Sequence, residues 1–154
     1  MIELDEVDLT ILSLMQPDAR MQNAALAKEL GMAPSAVLER VRKLEEKGII
    51  RSYSTNIEPS ALDLKLLAFI FIKSSTGPGN ENVGRQLVKM PEVLELHNIA
   101  GEDCYIIKVR STDTQALAQF MRVKLGKIAG IISTKSTIVL ETLKEDNYLA
   151  VPTK

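Results

Sequence analysis

Cysteine and histidine are almost missing from this 154-residue chain, which has one of each, Cys104 and His97. A single thiol excludes an internal disulfide framework, and with one imidazole it cannot supply a metal with its usual protein ligands. An excess of one charge is missing too: 19 Lys+Arg stand against 20 Asp+Glu, a net charge of −1. No global attraction to nucleic acid or to a membrane surface follows from that balance, so any basic patch is local. Long hydrophobic runs are lacking, since the longest, Leu66 to Ile72, falls far short of the roughly 20 residues that cross a bilayer. The opening residues Met1-Ile2-Glu3-Leu4-Asp5-Glu6 are acidic and do not resemble a signal peptide, so a reducing cytoplasm and no membrane partner are expected. A phosphate-binding loop is also wanting, because Thr76-Gly77-Pro78-Gly79-Asn80 lacks a following Lys-Ser/Thr pair.

What remains is 45% hydrophobic and 25% charged, the composition of a folded protein. Charge is unevenly placed. The first nineteen residues carry Glu3, Asp5, Glu6, Asp8 and Asp18 and no Lys or Arg. Residues 34–55 carry Arg40, Arg42, Lys43, Lys47 and Arg51 against Glu39, Glu45 and Glu46. Five bases less three acids leave that stretch at +2, so positive charge is gathered on one element.

Periodicity divides the chain in two. Leu4, Val7, Ile11, Leu14 and Met15 recur at helical steps and stop before Pro17. A second helix fits Asn23 to Leu30, closed by Gly31. A third is expected from Pro34, well placed at a first helical position, to Lys47, stopping at Gly48. Residues 1–55 thus read as a three-helix unit ending in a strand from Ile49 to Thr55, with 56–63 as a linker. From 64 to 154 the order is strand (Leu64–Lys73), helix (Glu81–Met90), strand (Val93–Ile99), strand (Cys104–Arg110), helix (Thr114–Leu125) and strand (Ile131–Leu143). That β-α-β-β-α-β order predicts an α+β, ferredoxin-like domain with both helices on one face of the sheet. The tail Tyr148–Lys154 reads as a loose end or a contact with a neighbour.

Three short helices with a tight Gly-containing turn before the last suggest a helix-turn-helix. On a helical wheel Val37, Val41, Leu44 and Gly48 share one side, and Ser35, Glu39, Arg42, Lys43 and Glu46 fall opposite. Small residues at the N-terminal end allow close approach to base edges, and cations pair with phosphates. Ser35, Ala36, Glu39, Arg40 and Lys43 are therefore expected to face the groove, with Arg42, Lys47 and Arg51 on phosphates. Periodicity alone leaves a solvated helix of mixed charge equally open.

The segment from Leu30 to Ile50 (LGMAPSAVLERVRKLEEKGII) resembles the reader unit of the Lrp/AsnC family of bacterial and archaeal regulators. The start, Leu4-Asp5 with Asp8 and Ile11-Leu12, matches that family's opening helix. Gly101-Glu102-Asp103-Cys104-Tyr105 stands where the family has a Gly-x-x-Asp-Tyr signature. The resemblance runs from Leu4 to about Leu143 and implies a transcription regulator that binds double-stranded DNA. Its C-terminal domain would dimerise, stack dimers as far as octamers, and bind a small amino acid between them, with no cofactor. The implied effector residues are Gly101, Glu102, Asp103, Cys104, Tyr105, Asp113, Thr134 and Ser136. Other readings stand beside these: Gly101 as a hairpin residue, Asp113 as an N-cap, and Thr134 and Ser136 as plain strand residues.

Two departures are visible. Ala33 stands where the family often has a capping Ser, so packing of Val37, Val41 and Leu44 must hold the helix start. Cys104 stands at the signature Asp, and a thiol cannot pair with an ammonium as a carboxylate does. Asp103 or Glu102 then substitutes, or the ligand differs, or there is none. An architectural protein that wraps DNA without ligand control is the alternative function. An enzyme using His97 and Cys104 as a nucleophile pair lacks an orienting group and an oxyanion pocket.

Overall fold

The computed structural model describes residues 3–75 and 82–152. The glycine-proline segment from Thr76, and Glu81 where a helix was expected to start, lie outside the described residues. The chain forms two compact units, one running to Asn56 and taking back the segment from Lys144, the other spanning Ile57–Leu143.

In the first unit α1 spans Glu6–Met15, α2 Asn23–Leu30 and α3 Pro34–Glu46. Asp5 caps α1 by accepting from the Asp8 N–H at 2.8 Å while Asp8 reaches back to the Asp5 N–H, a reciprocal cap. Gly31 ends α2 in the left-handed region at φ 61°, where a glycine carries no Cβ penalty. Ile11, Met15, Leu26, Ala27, Val37, Val41 and Leu44 form one buried core, so the wheel side assigned to α3 is the side it buries. No strand forms over Ile49–Thr55. Ile49 and Ile50 instead donate their N–H groups back to the Leu44 carbonyl, and the extended residues beyond have no partner strand among the described residues. The tail is tied at Leu149: Gln16 Nε2 donates to the Leu149 carbonyl at 2.9 Å and the Leu149 N–H returns to Gln16 Oε1 at 2.7 Å.

The second unit opens on a 3-10 turn, Pro59–Leu62, inside the expected linker. It continues with β1 (Leu66–Ser74), α4 (Asn82–Val88), β2 (Val93–Asn98), β3 (Tyr105–Ser111), α5 (Thr114–Val123), a 3-10 turn Leu125–Lys127, and β4 (Ile131–Ile138). The strands run antiparallel in the order β2-β3-β1-β4. Ala68, Ile70, Ile72, Ile107 and Val109 pack against Val83 and Leu87 of α4 and Leu117 and Phe120 of α5. Both helices therefore cover one sheet face, the ferredoxin-like arrangement. β4 stops at Ile138, which pairs with Ala68 near the start of β1, so the residues that would extend it to Leu143 have little strand left to bond. Leu66, Ala68, Ile70 and Ile72 form the face turned to the domain's own helices. Strand alternation puts Phe69, Phe71, Ile106 and Lys108 on the uncovered face, where Phe69 opposes Lys108 and Phe71 opposes Ile106.

Candidate functional site

Pro34 opens α3 with Ala33 as a cap that makes no side-chain bond. Buried Val37 at 0%, Val41 at 6% and Leu44 at 2% exposure anchor the helix through packing. Ser35, Ala36, Glu39, Arg42, Lys43 and Lys47 are exposed on it, and Arg51 is exposed just beyond. The cations are partly balanced along the helix. Arg42 Nε lies 2.8 Å from Glu46, and Lys43 Nζ lies 3.7 Å from Glu39. Such exposed pairs at i,i+4 are weak and screened, so a phosphate readily displaces the carboxylate.

Arg40, expected to face the groove, is engaged within its own unit: its Nη1 lies 2.6 Å from Asp5 and 2.9 Å from Asp8, so the guanidinium turns to the N-terminal cap of α1. The two carboxylates raise the Arg40 pKa. The Asp8 N–H, and after it the Arg40 side chain, hold the Asp5 carboxyl below the usual carboxylate range. Arg40 locks α3 to α1. Tyr53, beyond the end of α3, donates its hydroxyl to Glu45 at 2.6 Å; burial first and this carboxylate second push its pKa up to about 12. Sequence reasoning missed both clamps. The reciprocal Asp5–Asp8 pair was visible in the sequence, but its third partner lies 32 and 35 residues away.

In the second unit, Gly101 has φ 138°, a conformation that L side chains rarely adopt and that leaves the backbone free to turn toward Tyr105. Glu102 is exposed, and Asp103, part-buried, faces Lys135 Nζ at 3.8 Å. The Cys104 N–H donates to the Ile72 carbonyl at 2.9 Å, and its thiol lies 3.9 Å from the Ser74 carbonyl. Tyr105 faces the helices, and a Cβ added at Gly84 on α4 would meet its ring at 3.3 Å. Asp113 caps α5, its carboxylate accepting from the Ala116 N–H at 2.8 Å. Ser136 is exposed on β4, and its hydroxyl donates to the Met121 sulfur at 2.9 Å. Thr134 lies opposite Ile72, on the same face as Tyr105. The signature turn and β4 thus meet through Asp103 and Lys135, while Asp113 and Ser136 have structural partners of their own.

His97 and Cys104 do not share a partner. His97 Nε2 lies 3.5 Å from Glu95, whereas the thiol reaches Ser74. Among the described residues there is no group of three or more His, Cys, Asp or Glu placed to hold a metal ion. No helix among them is long and apolar enough to cross a membrane.

Comparison with known proteins fits this geometry. A winged helix-turn-helix DNA-binding model matches residues 4–51, and an Lrp/AsnC ligand binding domain model matches residues 67–149. The leucine-responsive regulatory protein of Escherichia coli K12 is 33% identical over 154 residues, covering 99% of this chain and 94% of that protein. Escherichia coli AsnC superposes with a TM-score of 0.89 at 28% identity, over 98% of this chain and 100% of that one. A Neisseria meningitidis transcriptional regulator in complex with L-methionine superposes with a TM-score of 0.89 at 30% identity, over 96% and 97%. With one model matching more than half its length and a relative at that identity aligned end to end, the chain belongs to the Lrp/AsnC family of DNA-binding transcriptional regulators.

Proposed function

We propose that this regulator reads a dyad-symmetric operator with the exposed face of α3 and responds to a small amino acid at the turn Gly101–Tyr105. The observation that carries the DNA half is the division of α3. Val37, Val41 and Leu44 are buried, while Ser35, Ala36, Glu39, Arg42, Lys43 and Lys47 stand in solvent on the other side. Ser35, Ala36 and Glu39 approach bases near the helix start; Arg42, Lys43, Lys47 and Arg51 meet phosphates. Two copies joined through the uncovered sheet face would present two α3 helices about one helical turn of DNA apart. Further stacking of dimers, up to octamers, belongs to the same reading, as does a nucleoid-associated place in a prokaryotic cytoplasm.

The effector half rests on different support. The Gly101 turn offers backbone N–H groups for a carboxylate, and Asp103 or Glu102 offers an acid for the ammonium that Cys104 cannot hold. The Neisseria relative was solved with L-methionine. Asp113 and Ser136 each make a local bond, as the α5 cap and to Met121, so the turn residues carry more of the reading than they do.

Selection from a random duplex pool at physiological salt tests the DNA half, and a half-site repeated with dyad symmetry is expected. Binding without enrichment and with a steep salt slope would instead favour the architectural alternative. The twenty amino acids, each added in turn in large excess over protein, test the other half in a thermal melt, since an effector present at about 100 times its dissociation constant must raise stability. A true effector stabilises by about 2.7 kcal/mol at that excess. No rise with any of them refutes amino-acid control.

A further inference from the structure

We propose that Leu38 is a specificity residue that reads a thymine methyl group in the major groove, an inference that rests on α3 being the reader. Leu38 is 54% exposed. It belongs neither to the buried core of its unit nor to the half-buried apolar side chains packed around that core. Every other large apolar residue of α3 is 6% exposed or less. The residue lies three positions after Ser35 and four before Arg42, so the three form one ridge along the helix surface. Its place early in a helix that begins at Pro34 puts it at the end that a helix-turn-helix presents to base edges.

Its neighbours narrow the chemistry. Glu45 is held by Tyr53, and Arg42, one turn on, is the ridge's phosphate contact once its exposed Glu46 pair gives way, so neither supplies a polar group to a base beside Leu38. An aliphatic side chain on this ridge can neither donate nor accept a hydrogen bond. Among the groups that base pairs display in the major groove, only the 5-methyl of thymine is apolar. Contact between the two removes both from water, a gain that cytosine or a purine at the same position does not return.

The test uses the full-length protein and the duplex enriched from the random pool. Each thymine of the half-site is replaced singly by deoxyuridine, which keeps the pairing and deletes the methyl. At one thymine the wild-type protein should bind about fourfold more weakly per half-site, the value of one buried methyl group. Leu38→Ala should bind the thymine site more weakly by a similar factor and lose nothing more with uracil there. Leu38→Met, which keeps an apolar reach, should retain methyl sensitivity. Because the side chain is outside the core, circular dichroism melts of both variants should match wild type. Equal uracil sensitivity in Leu38→Ala and wild type, indifference of wild type at every thymine, or a half-site without thymine overturns the inference alone. Failure to enrich any site overturns the DNA-reading function with it. A change of oligomer size in Leu38→Ala would assign the side chain to a contact between copies and overturn the inference as well.

Discussion

Arg40→Ala weakens DNA binding without changing its salt dependence. A cation that neutralises a phosphate releases counterions, so its loss lowers the slope of log K against log salt by about 0.9 per contact. Arg40 spends its guanidinium on Asp5 and Asp8 at 2.6 and 2.9 Å and releases no DNA counterion. Its loss acts by freeing α3 from α1, which costs alignment of the reader with both half-sites. Lys43→Ala and Lys47→Ala behave oppositely: a small loss of affinity and a shallower slope. In the absence of DNA, Arg40→Ala should also lower the stability of the first unit by about 1 kcal/mol, the scale of a screened, charge-assisted bond to the part-buried Asp8. Arg40→Lys recovers only part, since one ammonium replaces a fork that spans two carboxylates.

The pH dependence carries the same signature. The Asp5 carboxyl is held below its ordinary range by the Asp8 N–H and then by Arg40. A depressed carboxyl contributes stability that is fully present above its unfolded value, about 3.9, and is lost as pH falls through the folded value. The difference in melting temperature between wild type and Arg40→Ala should be widest near neutrality and close in acid. A gap that persists below that range would place the work of Arg40 in packing alone.

Local periodicity made the helices legible. Asn23–Leu30 is bounded where Gly31 and the apolar spacing put its ends, and the buried side of α3 is the side that Val37, Val41 and Leu44 mark. Such signals lie within a few residues of what they determine. Arg40 shows the limit, because a wheel places it on a flank and cannot say whether that flank meets DNA or a neighbouring helix. The strand expected over Ile49–Thr55 has the right residues but no partner strand among the described residues, and hydrogen-bond pairing is not written in one segment. Alternation likewise divides β1 into two apolar faces without saying which one the helices cover. At the Gly101 turn the glycine was readable and its φ of 138° follows, yet the Asp103–Lys135 pairing depends on where β4 falls in the sheet.

Under the proposed pairing of copies through the uncovered sheet face, Phe69→Glu combined with Phe71→Glu should reduce affinity for the proposed dyad site by about a hundredfold or more and leave a monomer. The side chains at 69 and 71 alternate away from the core residues Ala68, Ile70 and Ile72, so the substitutions do not enter the core and the domain should keep its circular dichroism. On the uncovered face they join Ile106, with Lys135 Nζ 4.8 Å above the Phe71 ring and Lys108 3.1 Å from Glu95. An apolar strip bordered by ion pairs on a sheet face without helices is built to be covered by another layer. Across a two-fold axis each residue meets the same patch of its twin, so each introduced glutamate is desolvated near its twin's like charge, with only Lys108 or Lys135 beside it, and these lysines already face Glu95 and Asp103. Losing the second protomer removes the effective-concentration gain of linked half-sites, a factor of about 10² to 10⁴. Sedimentation and binding titrations should change together. A variant that stays dimeric would assign the contact between copies to another surface, and one that becomes monomeric yet binds the dyad site as tightly would separate reading from dimerisation.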